Sequence, residues 1–249
     1  MEEQKSQEIQ QNLIQNSQCY QGKRALILGG SGAVGRELIQ YLCISKEWIK
    51  VSIIVRRKLN EWDNIQGKEK LDIIIKDNLD CLEKIDEWSQ FQNYDSLYCC
   101  LGSRVQYGKN EFIKVDYTYC VLAAEIAIKY NIRHYLLLSS SGANEKSYFL
   151  YMKTKGRTEN KLKSMQINKL SIFQPGMLRN RRNDRRCGEF IALYLCCCIT
   201  IPTGISGKDM ALSLLQVAEK PNNDKITIYS NSECKKIAKQ AKKQYLIDQ

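Results

Sequence analysis

Between residues 23 and 176 the chain alternates short apolar runs with polar, periodic stretches. The runs are "KRALILGG", "KVSIIVRR", "KLDIIIKDNL", "YDSLYCCLG", "RHYLLLSSSG" and "KLSIFQPG". Each is continuous rather than alternating, the mark of a strand buried on both faces. "AVGRELIQYL", "NEFIKVDYTYCVLAAEIAIKYN" and "FLYMKTKGRTENKLKSM" carry helical periodicity between them. Buried strands separated by helices predict an α/β fold, a Rossmann-like doubly wound parallel sheet. The sequence after Pro175 reads as an arginine-rich loop, an apolar helix, a helix near Lys208 to Glu219 and a short strand, "KITIYS". It is expected to form a small C-terminal lobe, about 176–249, over the carboxyl ends of the strands, where ligands sit in such folds. Residues 1–21 read as a mobile or loosely helical extension, leaving 22–249 as a single Rossmann-like domain.

Composition changes this picture little. A chain of 249 residues with 43% apolar content is long enough for one sizeable core. The longest apolar run, Phe190 to Ile201, is too short to span a bilayer and reads as a core helix of the lobe, with a membrane-touching face bearing acylated cysteines as the alternative. Eleven cysteines include the neighbours Cys99-Cys100 and Cys196-Cys197-Cys198, without CxxC spacing, and there is one histidine. That argues against zinc and for reduced thiols used as small apolar side chains. The N-terminal stretch is acidic and Gln-rich, without arginine or a hydrophobic run. These features predict a cytoplasmic protein, with the nucleus as a second location. A net charge of +11 leaves nucleic acid, an anionic surface or a phosphorylated ligand open.

The chemistry concentrates at the carboxyl ends of the predicted strands. "LILGGSGAVGREL" offers Gly29, Gly30, Gly32 and Gly35 between a strand and a helix, the context a dinucleotide loop requires. Glycines permit a tight turn and close approach of a pyrophosphate, and the helix N-terminus supplies N–H groups and a favourable dipole. The second strand ends in Arg56 and Arg57, where an acid would select NAD by holding ribose hydroxyls. Two arginines suit a 2′-phosphate, so NADPH is the predicted cofactor. Asp77, after the third strand, is a candidate acceptor for the adenine amino group, and Leu101 and Gly102 are placed along the adenosine.

The fifth strand delivers Ser139, Ser140 and Ser141 to the same edge. Tyr151 follows Ser140 by eleven residues, and Lys155 stands one helical turn on, on the same face. In a reductase, Tyr151 would protonate a carbonyl oxygen while Lys155 lowers its pKa and holds ribose; Ser139 or Ser140 would orient the oxygen. Three serines in a turn before a helix describe the same place without chemistry. His134, before the fifth strand, is read as structural or surface. Asp116, in "KVDYTY", is read as binding water or backbone and is given no catalytic part.

"LILGGSGAVGREL", "RRKL", "CCLG", "FIKVDYTY", "LLSSSGANEKSYFLYMKTKGRTE" and "FQPGMLRNRRNDRRCGEF" together resemble the short-chain dehydrogenase/reductase superfamily, and within it the atypical HTATIP2-like (TIP30/CC3) family. The resemblance runs from about Ala25 to the C-terminal region. It implies a Rossmann-like fold, NADPH and a Tyr-x-x-x-Lys pair. It also implies cofactor contacts at Ser31, Gly32, Ala33, Val34, Arg56 and Arg57. Further along, the implied contacts are Leu101, Gly102, Tyr151, Lys155, Leu178 and Arg186. This chain departs from the family in "GGSGAVG", in Gln174 where the family mostly has arginine, in the triple cysteine and in the N-terminal extension.

Three function classes follow. The first is an NADPH-dependent reductase of a small carbonyl compound. The second is an NADPH-binding, redox-sensing regulatory protein that acts on a protein partner in transcription or nuclear transport. The third is a nucleic-acid binder using Arg179, Arg181, Arg182, Arg185 and Arg186; it lacks interleaved aromatics for base stacking, and the loop reads better as a phosphate clamp and lid.

Overall fold

The computed structural model describes residues 22–179 and 204–247. The predicted 1–21 extension, Arg181, Arg182, Arg185, Arg186 and the Phe190 to Ile201 run lie outside the described residues. Seven parallel strands form the main sheet: β1 (Lys23–Leu28), β2 (Trp48–Val55), β3 (Leu71–Ile75), β4 (Ser96–Cys99), β5 (His134–Leu138), β6 (Leu170–Gln174) and β9 (Ile226–Ser230). Their order is β3-β2-β1-β4-β5-β6-β9. The order reverses between β1 and β4, where Leu28 pairs with Cys99. Gly29 and Cys100 leave the sheet side by side at this switch point, the place where such sheets bind ligands. β7 (Leu178–Arg179) and β8 (Ile205–Ser206) pair separately.

Alternate residues of the central strands feed two cores, which is why the strands read as unbroken apolar runs. On one face Ala25, Ile27 and Ile53 pack with Leu38 and Leu42 of α1 (Ala33–Ile44) and Met210 and Leu214 of α5 (Gly207–Glu219). On the other, Leu26 and Leu28 pack with Ala123 and Ile126 of α3 (Tyr119–Lys129) and Leu162 of α4 (Leu150–Lys163). Each fully buried Leu or Ile contributes roughly 1.5–3 kcal/mol. Buried Cys43, Cys99, Cys120 and Cys234 are free thiols within these layers.

Three details differ from the periodicity. The crossovers on either side of β3 are short 3₁₀ turns, not full helices; they bury Trp62 and Trp88 over the sheet instead. The long helix predicted from residue 110 is three pieces: α2 (Lys109–Ile113), a π-helical turn (Lys114–Thr118) and α3. The C-terminal sequence contributes β9 to the main sheet beside β6, followed by α6 (Asn231–Ile247). Among the described residues, no helix is long and apolar enough to cross a membrane.

Candidate dinucleotide and active site

The glycine turn shapes the site first. Gly29 has φ 81°, and a Cβ there would lie 2.5 Å from the Cys100 carbonyl oxygen, so only glycine fits. Gly35, in the first turn of α1, packs its backbone onto the Gly29 carbonyl. Gly32 is the N-cap of α1 and supplies no side-chain acceptor, so the helix's first N–H groups are uncapped at the cavity wall formed by Gly32, Ala33 and Val34. Ser31 is exposed; its carbonyl accepts a hydrogen bond from Arg36 Nε at 2.9 Å.

The cavity measures about 140 Å³. Leu101, Gly102 and Ser103 continue it beyond β4; Leu138, Ser139 and Ser140 beyond β5; and Pro175 to Leu178 beyond β6. Tyr151 and Lys155 close it from α4. The helix is held near by Gly156, where any Cβ would meet Glu145 N at 2.2 Å. The Tyr151 ring lies 5.8 Å from the Phe112 ring, centroid to centroid.

Lys155 is 4% exposed, and its Nζ stands 2.8 Å from Oδ1 of Asp116, itself fully buried. Burial opposes the ammonium, but attraction to Asp116 and then Tyr151 outweighs it and raises the Lys155 pKa above the ordinary lysine value. Asp116 Oδ2 accepts the Ser103 backbone N–H at 2.7 Å. The backbone contact expected of Asp116 is thus present, and its carboxylate is in addition an ion-pair partner of Lys155 at the cavity.

The serines divide. Ser139 Oγ donates to Glu159 Oε1 at 2.5 Å, and Gln174 Nε2 donates to the same carboxylate at 3.0 and 2.9 Å. Lys163 Nζ approaches it at 3.6 Å. Ser140 Oγ donates to the Ser141 carbonyl at 3.2 Å. Both serines line the cavity.

The remaining expected contacts lie elsewhere. Arg56 and Arg57 are exposed just past β2, and Asp77 is exposed past β3; none lines the cavity. Arg186 lies outside the described residues. His134 is buried between β5 and β6, within 2.8 Å of Ser171 Oγ, far from the carboxyl edge.

Sequence reasoning missed Asp116 as a partner, and Glu159 altogether. Both were within reach of pattern. Phe112, Asp116, Tyr119, Cys120 and Ala123 follow helical spacing, so Asp116 falls on an otherwise apolar face. Lys155 and Glu159 share spacing with Leu162 in the same way. A charge on a buried stripe calls for a buried partner.

A dinucleotide suits this arrangement. A Cβ on Gly32 would meet only the Gly29 carbonyl oxygen within 4 Å, and one on Gly102 only Asp116 Oδ1 at 3.9 Å. Two bare backbone walls, an uncapped helix N-terminus and a buried ammonium therefore face one cavity.

Comparison with known proteins agrees. Residues 29–190 match a family described as NAD(P)H-binding. Protein HTATIP2 of Rattus norvegicus is 36% identical over 174 residues, 69% of each chain. Protein FMP52, mitochondrial, of Lodderomyces elongisporus is 31% identical over 170 residues, 65% of this chain and 69% of that one. Among solved structures, the Bordetella bronchiseptica enzyme WbmH in complex with NAD+ superposes with a TM-score of 0.65 at 11% identity, over 83% of this chain and 75% of that one. A UDP-N-acetylglucosamine 4-epimerase from Methanobrevibacter ruminantium gives 0.61 at 18% identity, over 85% and 76%. The expected cytoplasmic or nuclear location is corrected by the fungal relatives, which are named mitochondrial. The reason is physical: reduced, apolar cysteines suit any reducing compartment, and the composition of residues 1–21 does not tell such compartments apart. Fold, glycine turn and relatives converge: the chain belongs to the NAD(P)H-binding family and is a homologue of HTATIP2.

Proposed function

We propose that the protein is an NADPH-dependent reductase of a small carbonyl compound. The observation that carries this is one cavity lined by both the uncapped N-terminus of α1 and the Tyr151–Lys155 face of α4. NADPH, when bound, supplies the hydride. Tyr151 donates a proton from its hydroxyl to the carbonyl oxygen. Lys155, kept charged by Asp116, holds the ribose beside Tyr151. Ser140 orients the carbonyl, because the Ser139 hydroxyl is already committed to Glu159. Ala33 and Val34 N–H groups take the pyrophosphate. Arg56 and Arg57 take the 2′-phosphate, a role supported by their exposure past β2 and by the engagement of the next acid, Glu61, with Arg36 at 3.3 Å.

The test is a titration with NADPH and NADH, followed by turnover of a panel of aldehydes and ketones. Tighter NADPH and measurable oxidation of NADPH with any carbonyl support the reading. Equal affinities remove the arginine assignment. Tight NADPH with no turnover on any carbonyl removes the reductase and leaves a cofactor-sensing protein. Gly32→Asp, which sets a carboxylate against the pyrophosphate, is expected to abolish NADPH binding while the melting temperature holds.

A further inference from the structure

We propose that the carbonyl substrate is aromatic, and that Tyr107 and Tyr148 at the mouth of the cavity hold its ring. The inference rests on the reading of this cavity as a reductase site. Among the described residues, Tyr107 and Tyr148 are the exposed aromatic side chains; every other described Phe, Tyr and Trp is buried or half-buried. Tyr107 is 63% exposed and Tyr148 fully exposed. Single apolar residues scattered over a surface are ordinary. These two are not scattered. They fall in the loops that leave β4 and β5, the same loops that supply Ser103, Ser139 and Ser140 to the cavity.

Both loops lead to the reacting tyrosine. Tyr107 ends a 3₁₀ turn, Val105–Tyr107, that passes through Gly108 straight into α2. Gly108 has φ 113°, a bend that favours glycine. Phe112 of α2 is buried, with its ring 5.8 Å from the Tyr151 ring. Tyr148 stands just ahead of α4, one short segment before Tyr151. The two helices thus meet at the Phe112–Tyr151 contact, with one exposed tyrosine ahead of each.

Neither ring sits on a slack segment. The Tyr107 N–H donates to the Arg104 carbonyl at 3.1 Å, and the Arg104 guanidinium lies over the Tyr107 ring, 5.8 Å from its centroid. Around Tyr148, the Asn144 N–H donates to the Met152 carbonyl at 3.0 Å and the Ser147 N–H to the Asn144 carbonyl at 3.0 Å. The Phe149 N–H donates to Ser147 Oγ at 3.2 Å. Gly156 of α4 packs so closely on the Asn144–Glu145 backbone that any Cβ would collide with it. The rings are therefore presented on a frame ordered before a ligand arrives, which lowers the cost of binding. Aromatic rings take aromatic partners in stacked or edge-on geometry, with a gain beyond the area buried. The cavity has apolar walls of its own at Leu101, Leu138, Pro175, Met177 and Leu178, leaving Ser140 and Tyr151 for the carbonyl oxygen.

The test compares 2-naphthaldehyde with propanal, by oxidation of NADPH, in the parent protein and in Tyr107→Ser with Tyr148→Ser. Both rings are exposed, so the double variant is expected to melt with the parent. Its kcat/KM for 2-naphthaldehyde is expected to fall about tenfold or more relative to that for propanal, chiefly through KM. The ratio cancels the intrinsic reactivity of the two aldehydes. Equal losses on both, or no loss on either, overturn the proposal. Titration of the NADPH complex with 2-naphthamide, whose carbonyl takes no hydride, gives a readout independent of turnover. The parent is expected to bind it about tenfold more tightly than the double variant. Should NADPH bind and neither aldehyde turn over, the reductase reading falls and this titration still decides the aromatic site. The tenfold loss in the double variant then sustains the site; no binding to the parent, or equal binding to both proteins, overturns it.

Discussion

The Lys155 centre and the Arg56–Arg57 pair carry charge of the same sign at the same edge of the sheet, yet they are built oppositely. Lys155 is buried, paired with Asp116 and packed on a helix that Gly156 pins to neighbouring backbone. Arg56 and Arg57 are exposed in a bend past β2. Charges held in a low-dielectric site act strongly and need no rearrangement. Exposed ones are screened by salt and gain their order only on binding. In the proposed reductase the contrast would separate two tasks: the buried cation would serve the reacting centre, and the exposed pair the choice of cofactor.

The largest effect belongs at the buried end. Tyr151→Phe deletes one hydroxyl and is expected to lower carbonyl turnover by about 10²–10⁴-fold with NADPH affinity nearly intact, read by steady-state kinetics and titration. A variant as fast as the parent would remove Tyr151 from the chemistry. Next comes stability. Lys155→Met leaves Asp116 buried and unpaired, and is expected to cost about 3–5 kcal/mol in a denaturant titration. Arg57→Met should stay within about 0.5 kcal/mol. Equal costs would dissolve the comparison.

The exposed pair then answers for selectivity. Arg56→Ala with Arg57→Ala is expected to weaken NADPH by roughly 1.5–3 kcal/mol while NADH changes little. That difference should shrink as salt rises. A loss common to both cofactors would place the arginines elsewhere.

The smallest test moves to the amino end of the sheet. Burial, with the Lys169 charge adding to it, pushes the His134 pKa down to about 3 from an ordinary value of 6.5. The unfolded chain therefore binds a proton that the folded one refuses. Stability is full above about pH 6.5 and falls as pH drops toward 3, by about 1–2 kcal/mol at pH 5. His134→Gln should flatten that slope in urea titrations at several pH values, without touching NADPH affinity.

Much of this architecture was legible because burial on both faces writes itself as unbroken apolar runs, as "KVSIIVRR" and "RHYLLLSSSG" show. The glycine turn and the Tyr151–Lys155 spacing were legible because each is local. What the sequence hid was long-range. "KITIYS" reads as a strand, but nothing in it says that it pairs with β6. The two serines are alike in sequence; only Glu159, twenty residues from Ser139, tells them apart. Asp116 was visible as a charge on an apolar stripe, but its partner, Lys155, stands far along the chain on another helix.

The place of β9 bears on how the chain matures. It pairs Leu170 with Ile226, so the sheet's last seam joins residues far apart in sequence. Closing so long a loop is entropically slow, and synthesis delivers β9 after every residue of the described cavity has already emerged. Until then β6, buried through Phe173 in the finished fold, is an open apolar edge. The residues of the cavity thus leave synthesis ahead of the strand that covers their flank, and β9 closes the edge that β6 would otherwise offer to wrong partners.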